Sequence, residues 1–212
     1  MAQRISDHKS FEAMFNVPRE TIDMLEHYKN LLIKWNKKIN LVAPSTISDI
    51  WHRHFADSAQ LWELRKQGAT HWLDIGSGAG FPALVLAIFA HQLEPELQFT
   101  LVESDQRKCA FLINVAQALD LNIIVKAERI ENLPIQPFDI ISARALSSLA
   151  NLLEISAPFC NESTLCLFPK GNKYELELTK ARKDWHIEEQ KIPSLTDPES
   201  VILRIESFSR AR

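Results

Sequence analysis

Two hydrophobic rhythms divide the chain near residue 70. Before it, Ile22, Leu25, Tyr28, Leu32, Trp35 and Ile39 recur at spacings of three and four. That is one apolar stripe on a helix, with Pro18 suited to its first turn and Asn40 and Pro44 closing it. A second stripe through Ile47, Ile50, Trp51, His54, Phe55, Ser58, Leu61 and Trp62 predicts another helix, with Gly68 placed as its stop. After residue 70, short apolar runs alternate with helical patterns. Strands are predicted at 71–75, 99–103, 122–126, 138–142 and 163–168, and helices from 82, over 105–119, 147–159 and 173–183. The last two strands, 185–191 and 201–208, have a proline-containing loop between them and no helix, so an antiparallel pair is expected. The pattern predicts a helical N-terminal extension over 1–70. An α/β domain over 71–212 follows, its mostly parallel sheet covered on both faces.

Composition narrows the class. Of 212 residues, 46% are apolar and 24% charged, which excludes disordered, collagenous and disulfide-scaffold chains. Lys and Arg number 24 against 27 Asp and Glu, so a nucleic-acid partner would have to be held by local rather than global charge. Cys109, Cys160 and Cys166 have neither even number nor C-x-x-C spacing, so reduced thiols are expected, with no metal site. With no apolar run of membrane-spanning length and no apolar core in the first residues, a cytoplasmic protein with no membrane partner is expected.

Glycine is scarce. There are 5, where average usage would give about 15, and three of them fall in Asp74-Ile75-Gly76-Ser77-Gly78-Ala79-Gly80. This window follows the first predicted strand, at the lip where open parallel sheets bind ligands. The spacing is G-x-G-x-G, with Phe81 where a dinucleotide fingerprint requires its third glycine, and no Gly-Lys-Ser/Thr follows. A pyrophosphate is therefore disfavoured, and S-adenosylmethionine is the commonest nucleoside ligand without one. Glu103 closes the second strand, where a carboxylate can accept both ribose hydroxyls. Such charged hydrogen bonds contribute about 1.5–3 kcal/mol. After the third strand, Ala127-Glu128-Arg129-Ile130-Glu131 offers an apolar side chain to cover adenine and an acid to bond its edge, or else a plain surface turn.

Five blocks, in order, carry a family resemblance. They are residues 35–42 (Trp35-Asn36-Lys37-Lys38-Ile39-Asn40-Leu41-Val42), Arg53-His54 with Asp57-Ser58, the loop from Trp72 to Pro82, Ile141-Ser142-Ala143-Arg144-Ala145, and Pro169-Lys170-Gly171. Together they resemble the bacterial 16S rRNA (guanine-N7) methyltransferases, the glucose-inhibited division protein B family. One departure is Ala83, where the family often has glycine, a change that stiffens the first helical turn. The resemblance implies a class I S-adenosylmethionine-dependent methyltransferase fold: Rossmann-like, with a seven-stranded, mostly parallel sheet, C-terminal antiparallel strands and a small helical N-terminal extension. It implies methyl transfer to N7 of a 16S rRNA guanine (position 527) in the small ribosomal subunit, and places cofactor contacts on Gly76, Phe81, Ile130, Glu131 and Arg144. Gly78 and Glu103 join them from the loop and strand-end argument.

Other roles stay open on sequence. Arg144 could bond the cofactor, clamp a phosphate, pair with guanine O6, or form a structural ion pair. Lys34, Lys37, Lys38 and Arg53, with Trp35 and Trp51 nearby, form a candidate RNA-tracking surface or an ordinary solvated face. Lys170 is a further RNA candidate. His54 with Asp57 reads better as a hydrogen-bonded buried histidine than as a catalytic pair. No general base is expected, because guanine N7 carries a free lone pair. A monomer is favoured. The competing readings are a methyltransferase acting on a small molecule or protein, and an NAD-type oxidoreductase or nucleotide-binding module, which Phe81 disfavours.

Overall fold

The computed structural model describes residues 4–211, so the first three positions of the expected helical extension lie outside it. Seven strands form one sheet in the order β3-β2-β1-β4-β5-β7-β6. They are β1 (His71–Ile75), β2 (Gln98–Val102), β3 (Ile123–Lys126), β4 (Ile140–Ser142), β5 (Leu165–Lys170), β6 (Trp185–Pro193) and β7 (Val201–Arg210). The first five run parallel; β7 inserts antiparallel between β5 and β6. β1 is the middle one of the first five strands and is buried from Trp72 to Ile75, because an interior parallel strand is covered on both faces and has no solvent side to keep polar. The chain winds outward from β1 through β2 and β3, then crosses back to β4. The reversal opens a crevice at the carboxyl ends of β1 and β4.

The helices are α1 (His8–Phe15), α2 (Arg19–Asn36), a three-residue α3 (Asp57–Ala59), α4 (Ala83–Leu93), α5 (Gln106–Ala118), α6 (Leu149–Ser156) and α7 (Tyr174–Ala181). Asp7 caps α1 in a reciprocal box with Ser10, and Asp105 caps α5 through the amides of Arg107 and Lys108. α4 is buried along its whole run from Ala83 to Ala90, having little polar face to give to solvent. It lies between the sheet and the N-terminal helices, which explains why it is apolar all round.

The N-terminal helices and this face of the sheet share one continuous core. Phe11, Tyr28, Leu32, Trp51 and Phe55 pack in the same cluster as Trp72, Leu86, Phe89 and Phe99. Each fully buried side chain of this size contributes about 1.5–3 kcal/mol, so the two segments are strongly coupled.

The second apolar stripe does not form one helix. It divides into a 3-10 turn over Pro44–Asp49, a π-helical turn over Trp51–Ala56 and α3. Periodicity reads which residues face inward but not a change of hydrogen-bonding register, and such widened turns often sit beside functional groups.

Candidate active site

Gly76 follows β1 with φ +70° and Gly80 has φ +92°, a left-handed backbone that side-chain-bearing residues adopt at a cost. At Gly80 space demands glycine as well, since a Cβ there would stand 2.2 Å from Cδ1 of the buried Leu84, whereas one on Gly76 would meet only the movable end of exposed Leu146 at 2.6 Å. The loop is fastened from two sides. Gly76 and Ser77 donate their amides to the carbonyl of Val102 at 2.8 and 3.1 Å. From the other side, the buried Tyr28 hydroxyl of α2 donates to the Ala79 carbonyl at 2.6 Å. Burial raises the Tyr28 hydroxyl well above its ordinary pKa, so it stays protonated and able to donate. In sequence Tyr28 is one more member of an apolar stripe; its hydroxyl is the only hint of this bond.

Glu103 directly follows β2 and is 9% exposed. Its Oε2 accepts the Gly78 amide at 2.9 Å and its Oε1 the Asp105 amide at 2.8 Å, so the carboxylate ties the glycine turn to the start of α5. An ionised carboxylate offers about four acceptor sites, which leaves capacity for two further donors.

These groups line a cavity of about 600 Å³ at the crevice, and Gly76, Gly78, Phe81, Glu103, Ile130, Glu131 and Arg144 all border it. Asn36, at the end of α2, shapes another part of the lip. Its Oδ1 accepts the amides of Leu41 and Val42 at 2.8 and 3.0 Å, and its Nδ2 donates to the Val42 carbonyl at 3.1 Å. Leu41 and Val42 then border the cavity too.

Arg144 follows β4 and sits in a seat built by three distant segments. It donates to Asp57 Oδ2 at 3.0 Å, lies 3.2 Å from His54 Nδ1, and spreads over the Phe81 ring at 4.9 Å. Asp57 Oδ1 in turn accepts the Thr196 hydroxyl at 2.9 Å, from the loop between β6 and β7. Of the alternatives for Arg144, the ion pair is formed; its place on the cavity wall keeps the ligand-facing roles open.

His54 stacks on Phe81, with centroids 4.8 Å apart and planes 18° apart. Thr46 Oγ1 donates to the Ala43 carbonyl and so accepts from His54 Nε2–H at 2.8 Å. This tautomer leaves Nδ1 to receive Arg144. Burial and the charges of Arg144 and Arg53 lower the imidazole to about 4, so His54 is a neutral acceptor at physiological pH.

Beneath the loop, Asp74 is 1% exposed. Ser142 Oγ donates to its Oδ1 at 2.6 Å, while Trp72 Nε1 donates to that same Ser142 oxygen at 2.9 Å. Asp74 Oδ2 has no hydrogen-bond partner among the described residues. Burial drives this carboxyl up to about 7, against the opposing pull of Ser142, Ser77 and Arg144. In sequence Asp74 is a member of a short buried strand and the first residue of the glycine window; that its Oδ2 lacks a partner among the described residues was not legible.

The candidate RNA residues divide. Lys34, Lys37, Lys38 and Arg53 are exposed, with Lys37 and Lys38 in the turn whose far end borders the cavity. Lys170 does not join them. Its side chain is 7% exposed, and its Nζ donates to the Ser147 carbonyl at 2.8 Å and Glu177 Oε2 at 2.9 Å. Ending β5 inside the sheet, it is an internal tether of the segment after β4, so it is withdrawn as an RNA-surface residue.

A parallel sheet with one reversed strand, a glycine turn after β1 and a carboxylate after β2 define a class I S-adenosylmethionine-dependent methyltransferase. Solved structures share this fold. A SAM-dependent methyltransferase from Aquifex aeolicus superposes with a TM-score of 0.57 at 15% identity, covering 82% of this chain and 98% of that one. An O-methyltransferase from Bacillus cereus, solved with SAH, gives 0.57 at 14% identity, covering 86% and 90%. The particular family comes from sequence. The profile of rRNA small subunit methyltransferase G (GidB) matches residues 21–202, and the chain belongs to that family. Relatives named ribosomal RNA small subunit methyltransferase G include one from Cereibacter sphaeroides, 49% identical, covering 96% of this chain and 97% of that protein. Another, from Rhodospirillum centenum, is 48% identical, covering 94% and 90%.

The donor set suits the cofactor of this class. Glu103 has acceptor capacity for ribose hydroxyls, Ile130 offers an apolar wall beside Glu131, and the left-handed glycine turn lets a ligand approach backbone. Among the described residues no helix is long and apolar enough to cross a membrane.

Proposed function

We infer that this chain is a cytoplasmic enzyme that methylates N7 of a guanine in 16S rRNA of the small ribosomal subunit, using S-adenosylmethionine. The observation that carries this reading is one cavity that gathers the glycine turn, Glu103, Ile130, Glu131 and Arg144 in a chain of the methyltransferase G family. Bound there, the cofactor supplies an electrophilic methyl group on a positively charged sulfur. Glu103 would hold the ribose, Ile130 would give the adenine an apolar wall beside Glu131, and Gly76, Gly78 and Phe81 would line the rest of the site. Arg144, fixed by Asp57 and His54, stands at the rim where the base arrives.

Guanine N7 has a lone pair on its major-groove edge and becomes cationic on methylation, so no proton need be removed first. The neutral His54 and the buried Asp74 are therefore not needed as bases. What the protein contributes is alignment of the two reacting groups, a proximity effect able to supply much of the barrier reduction. Lys34, Lys37, Lys38 and Arg53 attract the phosphate backbone.

A labelled-methyl assay on naked 16S rRNA, small subunits and a small-metabolite pool tests this, with the modified nucleoside then identified. Label in 7-methylguanosine of 16S rRNA is expected; label confined to metabolites or protein overturns it. Glu103→Ala should weaken S-adenosylmethionine binding about 10–150-fold, the value of one lost charged hydrogen bond, read by calorimetry. Unchanged affinity would remove Glu103 from the cofactor site.

A further inference from the structure

The segment Arg144–Ser147 has an opening on each of its two sides. One is the cavity just described. The other, of about 380 Å³, is bordered by Asp57, Gln60, Lys170 and Glu177, and shares Arg144, Ala145, Leu146 and Ser147 with the first. An acceptor atom must come within about 3–3.5 Å of the methyl it receives, so the base pocket has to abut the cofactor cavity. The second cavity does so through one thin wall.

Its polar groups have a definite arrangement. On the dividing wall Arg144 uses Nη1 and Nη2 for Asp57, His54 and the Arg53 carbonyl, and its Nε–H has no partner among the described residues. Glu177 is used on one side only. Its Oε2 accepts Lys170 Nζ at 2.9 Å and the Leu149 amide at 2.8 Å, while Oε1 has no hydrogen-bond partner among the described residues. The lysine and the amide at the start of α6 hold this carboxylate in place and fix which oxygen is spare. Asp57 differs, since both of its oxygens are engaged, by Arg144 on one side and by Thr196 and Gln60 on the other. An arginine with one spare donor and a glutamate with one spare acceptor thus border the same cavity.

Guanine presents the complement. Going round the ring, N7 and O6 are acceptors, and N1–H and the 2-amino group that follow are donors. Adenine reverses the sense at two positions, with a donor amino group at C6 and an acceptor at N1. We propose that the second cavity is the guanine pocket, with Arg144 donating to O6 and Glu177 Oε1 accepting from N1–H and the 2-amino group, so that N7 is turned toward the cofactor cavity. This rests on the rRNA guanine-N7 reading above and names the residue that selects the base. Glu177 is then a specificity-determining residue that touches substrate, and Lys170 acts through it as a positioning residue.

The decisive variant is Glu177→Gln. Two donors converge on the Oε2 position, so the glutamine carbonyl must take it and the amide NH₂ must point into the cavity. An acceptor becomes a donor with the helix cap retained. The substrate counterpart is inosine, which keeps N7, O6 and N1–H but lacks the 2-amino group. Small subunits reconstituted with guanine or inosine at the target position give kcat/KM by labelled-methyl transfer, and calorimetry with S-adenosylmethionine checks that each protein is folded. For the unmodified protein, inosine should lower kcat/KM about 10–150-fold, as loss of a charged hydrogen bond does. Glu177→Gln should lose activity on guanine by at least that factor, and the guanine-to-inosine ratio should fall to near one. A merely structural glutamate would lower both substrates equally and preserve the ratio, which overturns the proposal. So does an unmodified protein that treats inosine like guanine, a result that needs no variant to fold. Failure of the unmodified protein to label any rRNA guanine overturns the functional reading together with this one. That outcome differs visibly from labelling without discrimination.

Discussion

Replacing Asp74 with asparagine removes a titration that the native fold makes costly. The carboxyl lies 1% exposed below the glycine turn, with Oδ1 bonded to Ser142 and Oδ2 without a partner among the described residues. Burial raises it from an unfolded value of 3.8 to about 7, so the folded state holds its proton more tightly than the unfolded chain does. Its contribution is therefore fully present below pH 3.8 and is lost as pH rises through about 7. At about 1.4 kcal/mol per unit, the gap of roughly three units corresponds to about 4 kcal/mol. The asparagine side chain would be neutral throughout and could keep the Ser142 bond. Its NH₂ group, placed where Oδ2 was, would cost about 1–3 kcal/mol, but equally at every pH. Urea unfolding of both proteins between pH 4 and 8 gives the difference in stability at each pH, with slopes in denaturant checked for equality. The advantage of the unmodified protein over Asp74→Asn should shrink by about 4 kcal/mol from pH 4 to pH 7.5. Two curves running parallel within about 0.5 kcal/mol would show that Asp74 ionises freely and that its burial has been misjudged.

Three other outcomes are expected. His54, lowered from 6.5 to about 4, has the opposite sign: its stabilising effect is present above pH 6.5 and lost as pH falls toward 4, so the advantage over His54→Gln should grow with pH across that window in the same urea series. A difference that does not change with pH would mean that the imidazole is not held neutral. Tyr28→Phe leaves the Ala79 carbonyl without its 2.6 Å donor and should cost about 1–3 kcal/mol in unfolding free energy, with weaker S-adenosylmethionine binding by calorimetry; unaltered values for both would detach α2 from the loop. Reversing Lys34, Lys37 and Lys38 to glutamate should weaken RNA binding and flatten its log–log salt dependence by about 2–3, and an unchanged slope in a filter-binding series would take these lysines off the RNA path.

The sheet was legible because its strands are short apolar runs bounded by helical periods, and a parallel strand covered on both faces has little freedom to be anything else. All seven appear within a few residues of their expected places, β1 at 71–75 with no shift. The insertion of β7 between β5 and β6 was not legible, since strand order depends on which edges meet in space. The glycine turn was legible from scarcity and spacing. Its anchors were less so. Tyr28 and Asn36 belong to a segment that reads as an extension, yet one bonds the turn and the other shapes the cavity lip. Lys170 shows the converse error. A lysine at a strand end reads as solvated until its Nζ is found between Ser147 and Glu177.

By itself the sequence determined the class of fold, the place of the cofactor turn and the family, because periodicity, glycine positions and ordered motifs are properties of the chain read along its length. Which charges are free was decided only by the tertiary structure. Arg144 meets Asp57 across 87 residues, Glu103 meets Gly78 across 25, and Asp57 meets Thr196 across 139. Burial then set their chemistry, leaving His54 neutral, driving Asp74 upward and leaving Glu177 with one oxygen to spare. Partner and solvent access are three-dimensional quantities, and no spacing along the chain encodes them.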